Sequence, residues 1–443
     1  MQGILRLLKS SRGTFESSRL GNFKDVMIST KCNIHPRMFR SYFDTDFENA
    51  HISHFTAGSF SKPIWGISLA AISNGFGSSC ATWLHLVSGA NARDSTCRGK
   101  IVNPHWIERG VIRQWKRDCD GRNNKDCQIC PAACRLAPAR PSWLIDTWRL
   151  CLIPGAINLP YVALSYVWGK NQFFKTTRKD LPQLQLDQAF FDSRNRLGIP
   201  RVIEDAIKLL SLLEERYLWV DALCIVQDDG EARHDQLQNM ASIFANATVT
   251  IIAKQGNDAG YGLRGLRGIS EPRHFVQEVF TLKKGSRIIT TYTEKEGQSA
   301  WTQRGWTFQE QIFARRKLVF AADSVQWQCS CGSFLEDLKP PPEVPSKCMQ
   351  NRHLIFSTPF PDLVGYSKLV YRYNRQFTYP EDALDAFAGI TSALSHTFYG
   401  GFICGLPALF LDVALTWQPY STCERRIPSK PSNPTKMGLP SRS

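Results

Sequence analysis

No dense basic run occurs in this chain of 443 residues, although 54 Lys and Arg stand against 39 Asp and Glu and give a formal net charge of +15. The excess is spread along the whole length without aromatic interleaving, which argues against a nucleic-acid groove, so nucleic acid is not an expected partner. Cysteine is too sparse for a disulfide scaffold, at 14 residues, and no cleavable secretory segment is legible. Reduced thiols in the cytoplasm are therefore expected. Charge itself is missing from Pro63 to Ala92, a stretch long enough to raise a membrane span. Ser68, Ser73, Asn74, Gly75, Gly77, Ser78, Ser79, Thr82 and His85 interrupt it heavily, so no stable membrane insertion is expected. Cys127 and Cys130 form a CxxC pair with Cys119 and Cys134 near by, but a second clean pair is lacking and Cys119 is spaced too far away. No metal site is expected there.

What the chain does contain is a βαβ pattern. Tyr161 to Gly169 is an apolar run of strand length ended by glycine. Ile203, Ala206, Ile207, Leu210 and Leu213 recur at helical spacing after Pro200, which suits a first helical turn. Tyr217 to Asp229 is apolar until it stops at Gln227, Asp228 and Asp229, and reads as a fully buried strand. His234 to Ala247 predicts a second helix, with Leu237, Met240, Ala241 and Phe244 on one side, and Thr248 to Ala253 a third strand. This alternation implies a parallel sheet with right-handed crossovers. Ligands of such sheets sit beyond the carboxyl ends of the strands, which here gather Trp168, Gly169, Gln227, Asp228, Asp229 and Gln255.

Around this core the reading is coarser. Met1 to Lys31 is basic and serine-containing, and a solvated leader outweighs mitochondrial targeting because its apolar patch is short. Lys170 to Gly198 is a long polar connection containing Lys175, Thr176, Thr177, Arg178 and Lys179; it is read as a solvated loop, the other reading being a cover over the mouth of the sheet that meets an anionic ligand. Gly256 to Gly268 is rich in glycine beside Arg264 and Arg267; phosphate contact is one reading and a surface turn the other, since the spacing fits neither the P-loop nor the dinucleotide fingerprint. Phe275 to Tyr292 predicts strands outside the parallel core, Thr302 to Ala314 one helix, and Lys317 to Ala321 with Val325 to Cys329 a hairpin. Pro340 to Pro345 marks a linker. Helices are expected over Tyr366 to Tyr373, Ala383 to Leu394 and Leu406 to Trp417. From Arg425 the composition cannot pack, and the chain reads as truncated there.

Five blocks carry a family resemblance: Ala163 to Gly169, Ile199-Pro200, Tyr217 to Asp228, Met240-Ala241 with Ala247 to Ile251, and Arg304 to Glu310. In order and spacing they resemble the fungal heterokaryon incompatibility (HET) domain. The resemblance implies a filamentous-fungal protein of nonself recognition that triggers programmed cell death. HET domains also look like distant relatives of Toll/interleukin receptor (TIR) domains, which implies an α/β fold with a TIR-like or flavodoxin-like parallel sheet core, an added β-hairpin and a C-terminal helical region. The expected divisions are a poorly specified region 1–104, a Cys-containing segment 105–160, the HET domain 161–330, a Pro-rich linker 331–350, a helical region 351–424 and a disordered tail 425–443.

Two function classes stay open. TIR relatives cleave NAD, so a death effector of this kind takes NAD as substrate with no certain cofactor. The candidate catalytic carboxylates are then Glu310, Asp221 and Asp228, and the ligand-binding candidates are Trp168, Gly169, Gln227, Arg264, Arg304 and Trp306. The resemblance does not fix which carboxylate acts. The alternative is a non-enzymatic module working through a protein partner or self-assembly, for which Arg304 and Glu310 are a structural pair.

Overall fold

The computed structural model describes residues 98–121, 132–156, 158–170, 173–191, 197–281, 287–292, 299–321, 323–330, 332–339, 354–373 and 375–416, with strands at 17–22, 51–56, 67–72 and 81–86 and the bridge residue 87. Cys127, Cys130, the Pro340 linker and the tail from Arg425 lie outside the described residues, as does the leader apart from its strand. The chain divides into two units.

The smaller unit contains residues 1–107, 273–296 and 334–344. Its sheet takes β1 (Ser17–Asn22), β2 (His51–Thr56), β3 (Ile67–Ile72) and β4 (Ala81–Leu86) in sequence, then β11 (Arg287–Tyr292) and β10 (Val279–Thr281). All five pairings are antiparallel. The uncharged stretch from Pro63 to Ala92 thus supplies β3 and β4. No helix among the described residues is long and apolar enough to cross a membrane. Arg273 is fully buried and donates from Nη2 to Glu336 Oε2 at 2.9 Å and to the Asn103 carbonyl at 2.9 Å. Pairing with hydrogen bonds on both sides is what makes a buried guanidinium tolerable.

The larger unit is built on a mixed sheet, with strands in the order β13 (Ser324–Cys329), β12 (Lys317–Ala321), β9 (Val249–Ala253), β7 (Tyr161–Ser165), β8 (Tyr217–Trp219), β5 (Trp143–Asp146) and β6 (Cys151–Pro154). β8, β7, β9 and β12 run parallel, while β5, β6 and β13 add antiparallel edges. Every residue of β7 and β9 is buried, as expected of central parallel strands covered on both faces. The helix Arg201–Leu210 buries Ile203, Ala206, Ile207 and Leu210, the stripe legible in the sequence, and follows Pro200 directly. The 317–329 hairpin forms as expected, and helices at Leu363–Arg372 and Asp385–Leu394 match the C-terminal pattern. Leu406 to Trp417 differs: a two-residue strand and a 3-10 turn precede a short helix, Leu411–Leu415.

Three further expectations fail. The run from Tyr217 is a strand only to Trp219 and then turns into the helix Asp221–Cys224. Asp221 accepts from its neighbour's N–H (Ala222) at 2.8 Å, and the Gln227 amide folds back to the carbonyls of Asp221 at 3.1 Å and Ile225 at 3.0 Å. Such side-chain bonds offer the backbone an alternative to a ladder, and an apolar run alone does not separate strand from buried helix. The 234–247 helix is two, Gly230–Gln238 and Met240–Asn246, parted at Asn239. The 302–314 helix is also two, Ala300–Gln303 and Thr307–Phe313. Between them Arg304 is extended, and Gly305 N–H donates to the Gln376 carbonyl at 2.9 Å. A Cβ on Gly305 would lie 1.9 Å from Cε1 of Phe377. The break is therefore dictated by a segment some 70 residues away.

Cys119 is buried on the helix Arg109–Gly121 and hydrogen-bonds the buried Cys329 thiol, while Cys134 is exposed. No metal-holding group of three His, Cys, Asp or Glu exists among the described residues. Packing between the helices Met240–Asn246 and Asp385–Leu394 is close enough that a Cβ on Gly389 would sit 2.3 Å from that of Ala241. Gly389→Ala is expected to destabilise the protein by about 1–3 kcal/mol through overpacking. Gly230→Ala, into open space at a helix start, should change stability by no more than about 0.5 kcal/mol. Urea denaturation of both variants checks the contrast.

Candidate functional site

The carboxyl ends of β7 and β8 bring together side chains from three separated segments. Ser165 closes β7, and its hydroxyl donates to Glu310 Oε2 while accepting from Trp301 Nε1 at 2.8 Å. Glu310 sits on the helix Thr307–Phe313 and is only 7 % exposed. Just beyond β7, Trp168 Nε1 donates to Asp221 Oδ2 at 2.9 Å. Arg304, in the extended break between the helices, donates from Nη1 to the Tyr166 carbonyl at 2.8 Å and lies 5.5 Å from the Trp168 ring centre. Lys175 Nζ stands over the same indole at 4.2 Å, and Phe173 meets it edge-on at 5.7 Å.

The electrostatics follow from burial. Removal from water pushes the Glu310 carboxyl up to about 7; Arg304 and the Ser165 hydroxyl pull it down, and Asp221 pushes it further up. Asp221 is also raised by burial, against the opposing pull of Arg304 and of the bonds from Ala222 and Trp168. Unlike Glu310 it keeps partial access to solvent. Tyr166 is buried and its phenol is held well above the ordinary range, first by burial and then by Asp221. Its hydroxyl meets no partner in full hydrogen-bond geometry. Two carboxylates, a guanidinium and an indole thus converge at one strand end, where perturbed ionisation marks candidate chemistry.

The other candidates from the sequence separate from this centre. Asp228 is exposed and accepts the Arg178 backbone N–H at 2.8 Å. Asp229 caps the helix Gly230–Gln238 through Ala232 N–H at 3.1 Å and pairs with Arg178. Gln227 reaches the centre only through the Asp221 backbone, which its amide holds. Trp306 is the half-buried residue that precedes the helix Thr307–Phe313. Gly169 takes a positive φ of 81°, and a Cβ there would stand 2.2 Å from Cβ of Asp258, so glycine lets the loop after β9 close on the exit of β7. Arg264 lies in that loop, 4.2 Å over the Tyr261 ring.

Several participants carried no sequence signal of their own. Trp301 sits in apolar surroundings that look like core, Ser165 and Tyr166 lie inside the first family block without a role assigned to them, and Lys175 belongs to the polar connection read as a solvated loop. Asp205 is similar: it reads as a polar position of a helix, yet it is buried and its Oδ2 accepts the Leu263 N–H at 2.9 Å. Burial raises its pKa to about 6, and it anchors the glycine-rich loop where Gly262 has a φ of 80°.

The sign of the pH dependence follows directly. A folded Glu310 that titrates near 7, against 4.5 for a free side chain, holds a proton that the unfolded chain has released between those values. Stability from this group is therefore fullest below about 4.5 and declines as pH rises towards about 7, with Asp205 acting in the same direction up to about 6. Glu310→Gln should flatten the decline by an amount on the order of a few kcal/mol between about pH 5 and about pH 8. Urea midpoints of wild type and variant across that range measure it, and parallel curves would mean that Glu310 ionises normally.

Comparison with known proteins places this geometry. Residues 161–310 match the family model of the heterokaryon incompatibility protein (HET), and the matched span begins at β7 and ends at Glu310. No curated protein and no solved structure matches the chain. The five ordered sequence blocks and the family match coincide on the segment that builds the sheet ends and the carboxylate centre, and so residues 161–310 are a heterokaryon incompatibility (HET) domain.

Proposed function

We propose that the HET domain is an effector of fungal nonself recognition that triggers cell death by cleaving the glycosidic bond of NAD at the Asp221–Arg304–Glu310 centre. The observation that carries the reading is the convergence of two carboxylates of raised pKa on one guanidinium and one indole, at the carboxyl ends of parallel strands. A TIR-like or flavodoxin-like core is part of the proposal. The parallel strands support it, because β8, β7, β9 and β12 stand in the spatial order second, first, third, fourth.

In this mechanism the ribose C1′–N bond of NAD breaks heterolytically, and the bonding pair passes to the nicotinamide nitrogen, cancelling its positive charge. Positive charge develops on the ribose, and water adds at C1′ with loss of a proton. Asp221, which retains access to solvent, stabilises that charge. Arg304 keeps the carboxylate ionised against the burial that raises its pKa. Trp168 walls the base, Lys175 meets the phosphates, and Glu310 positions Arg304 from its buried place behind Ser165. The proposed setting is the cytoplasm of a filamentous fungus.

A second reading draws on the same Glu310. A carboxylate this buried, with Ser165 as its partner, suits a structural pair, and the domain would then signal by self-assembly or by binding a protein partner. Induced expression in cells separates the two. The enzymatic reading expects cellular NAD to collapse before viability falls, with Asp221→Asn reducing cleavage by about 10²-fold or more and Glu310→Gln also impairing it. Death with NAD unchanged would sink the catalytic reading in favour of assembly.

A further inference from the structure

The order of the parallel strands contains a reversal that the carboxylate centre does not exhaust. The chain passes from β7 to β8 on one side, then returns past β7 to β9 and continues outward to β12. The carboxyl ends of β7 and β9 therefore flank the topological switch point, where open α/β sheets leave a crevice for ligands. Gln255 lies two residues past the end of β9. Its Oε1 and Nε2 are both buried, and neither has a hydrogen-bond partner. Arg264 Nε is buried and unpartnered in the same way.

These orphaned atoms share one loop. Gly256 takes a φ of 73°, and a Cβ there would lie 2.4 Å from Cβ and Cγ of Tyr261, so the Tyr261 ring is laid against the turn that follows Gln255. Arg264 stacks on that ring. The loop closes against Gly169 through Asp258, whose Oδ1 is occupied by the Gly260 N–H at 2.8 Å, and Asp205 clamps it from the other side through Leu263. A built wall with two unpaired donors and one unpaired acceptor is costly to leave unmatched, because a buried polar group without a partner has lost its hydrogen bonds to water. The set matches a ligand that offers anionic oxygens together with a hydroxyl.

We propose that the β7–β9 crevice binds the diphosphate and ribose of a nucleotide, with the Gln255 amide N–H and the Arg264 guanidinium donating to phosphate oxygens and Gln255 Oε1 accepting from a ribose hydroxyl. This deepens the NAD reading by assigning the part of the substrate that does not react, but binding here does not require cleavage. Arginine suits the role through its fixed fork of donors.

The test uses the full chain and ADP-ribose as the probe, by isothermal titration alongside thermal melting. Wild type should bind, and Gln255→Leu and Arg264→Leu should each raise Kd at least about tenfold, the loss expected of one hydrogen bond to a charged group. Arg264→Lys, which keeps the charge but not the Nε donor, should give an intermediate loss. Because either leucine variant could fold poorly, hydrogen exchange on the unaltered chain supplies a second arm: ADP-ribose should protect the amides of residues 256–268. Unchanged affinity in both leucine variants, or no protection, overturns the inference even if NAD cleavage is established. Absence of ADP-ribose binding up to millimolar concentration overturns it as well, water then satisfying the buried groups. Binding that depends on Gln255 and Arg264 in a chain that leaves NAD intact upholds this site and removes the cleavage reading alone.

Discussion

The pull of the Arg304 guanidinium on two carboxylates, the half-buried Asp221 and the buried Glu310, is the constraint on which the centre of the larger unit depends. Asp221 and Glu310 each face the cost of leaving water, and Asp221 adds to that cost for Glu310 because like charges disfavour joint ionisation. Arg304 opposes both penalties while its Nη1 is fixed on the Tyr166 carbonyl. Its own position is set by the extended break between the helices Ala300–Gln303 and Thr307–Phe313, which pairs with Gln376 through the Gly305 N–H. A continuous helix would carry Arg304 away from the end of β7. The C-terminal helical segment thus contributes to the ionisation of the centre without supplying a carboxylate, and Arg375 extends that contribution by donating to Thr307 Oγ1 at 3.2 Å.

Glycine serves the same arrangement from the opposite direction. At Gly169 and Gly262 the backbone adopts positive φ, and an added Cβ would collide with Asp258 and Asp205 respectively. These contacts hold the loop after β9 against β7 and against the helix Arg201–Leu210. The loop is fixed by buried polar bonds rather than by apolar packing alone, which sets Gln255 and Arg264 in defined places beside a strand end. Its stability is consequently tied to the protonation of Asp205, whose burial raises its pKa.

Much of the architecture was legible because hydrophobic periodicity reports burial directly. β7, β9, the stripe on the helix Arg201–Leu210 and the 317–329 hairpin follow from apolar runs and spacing that hold wherever one face must leave water. The readings that failed were those in which a polar side chain or a distant segment redirected the backbone. Asp221 and Gln227 turn an apolar run into a helix, Asn239 parts another helix through its bonds to Asp235, and Gly305 ends one for the sake of Phe377. Periodicity carries no information on such bonds.

By itself the sequence determined the parallel α/β core, the family of residues 161–310 and the residue types gathered at the strand ends, since each rests on local pattern and ordered motifs. Only the tertiary structure decided which of those residues meet. It joined Glu310 to Ser165, Asp221 to Trp168, and Arg304 to the end of β7, while turning Asp228 outward to the backbone of Arg178. The reason is that ionisation and pairing depend on distance and burial across segments more than 100 residues apart, as from Ser165 to Glu310, and these arise only when the sheet and its helices close on one another.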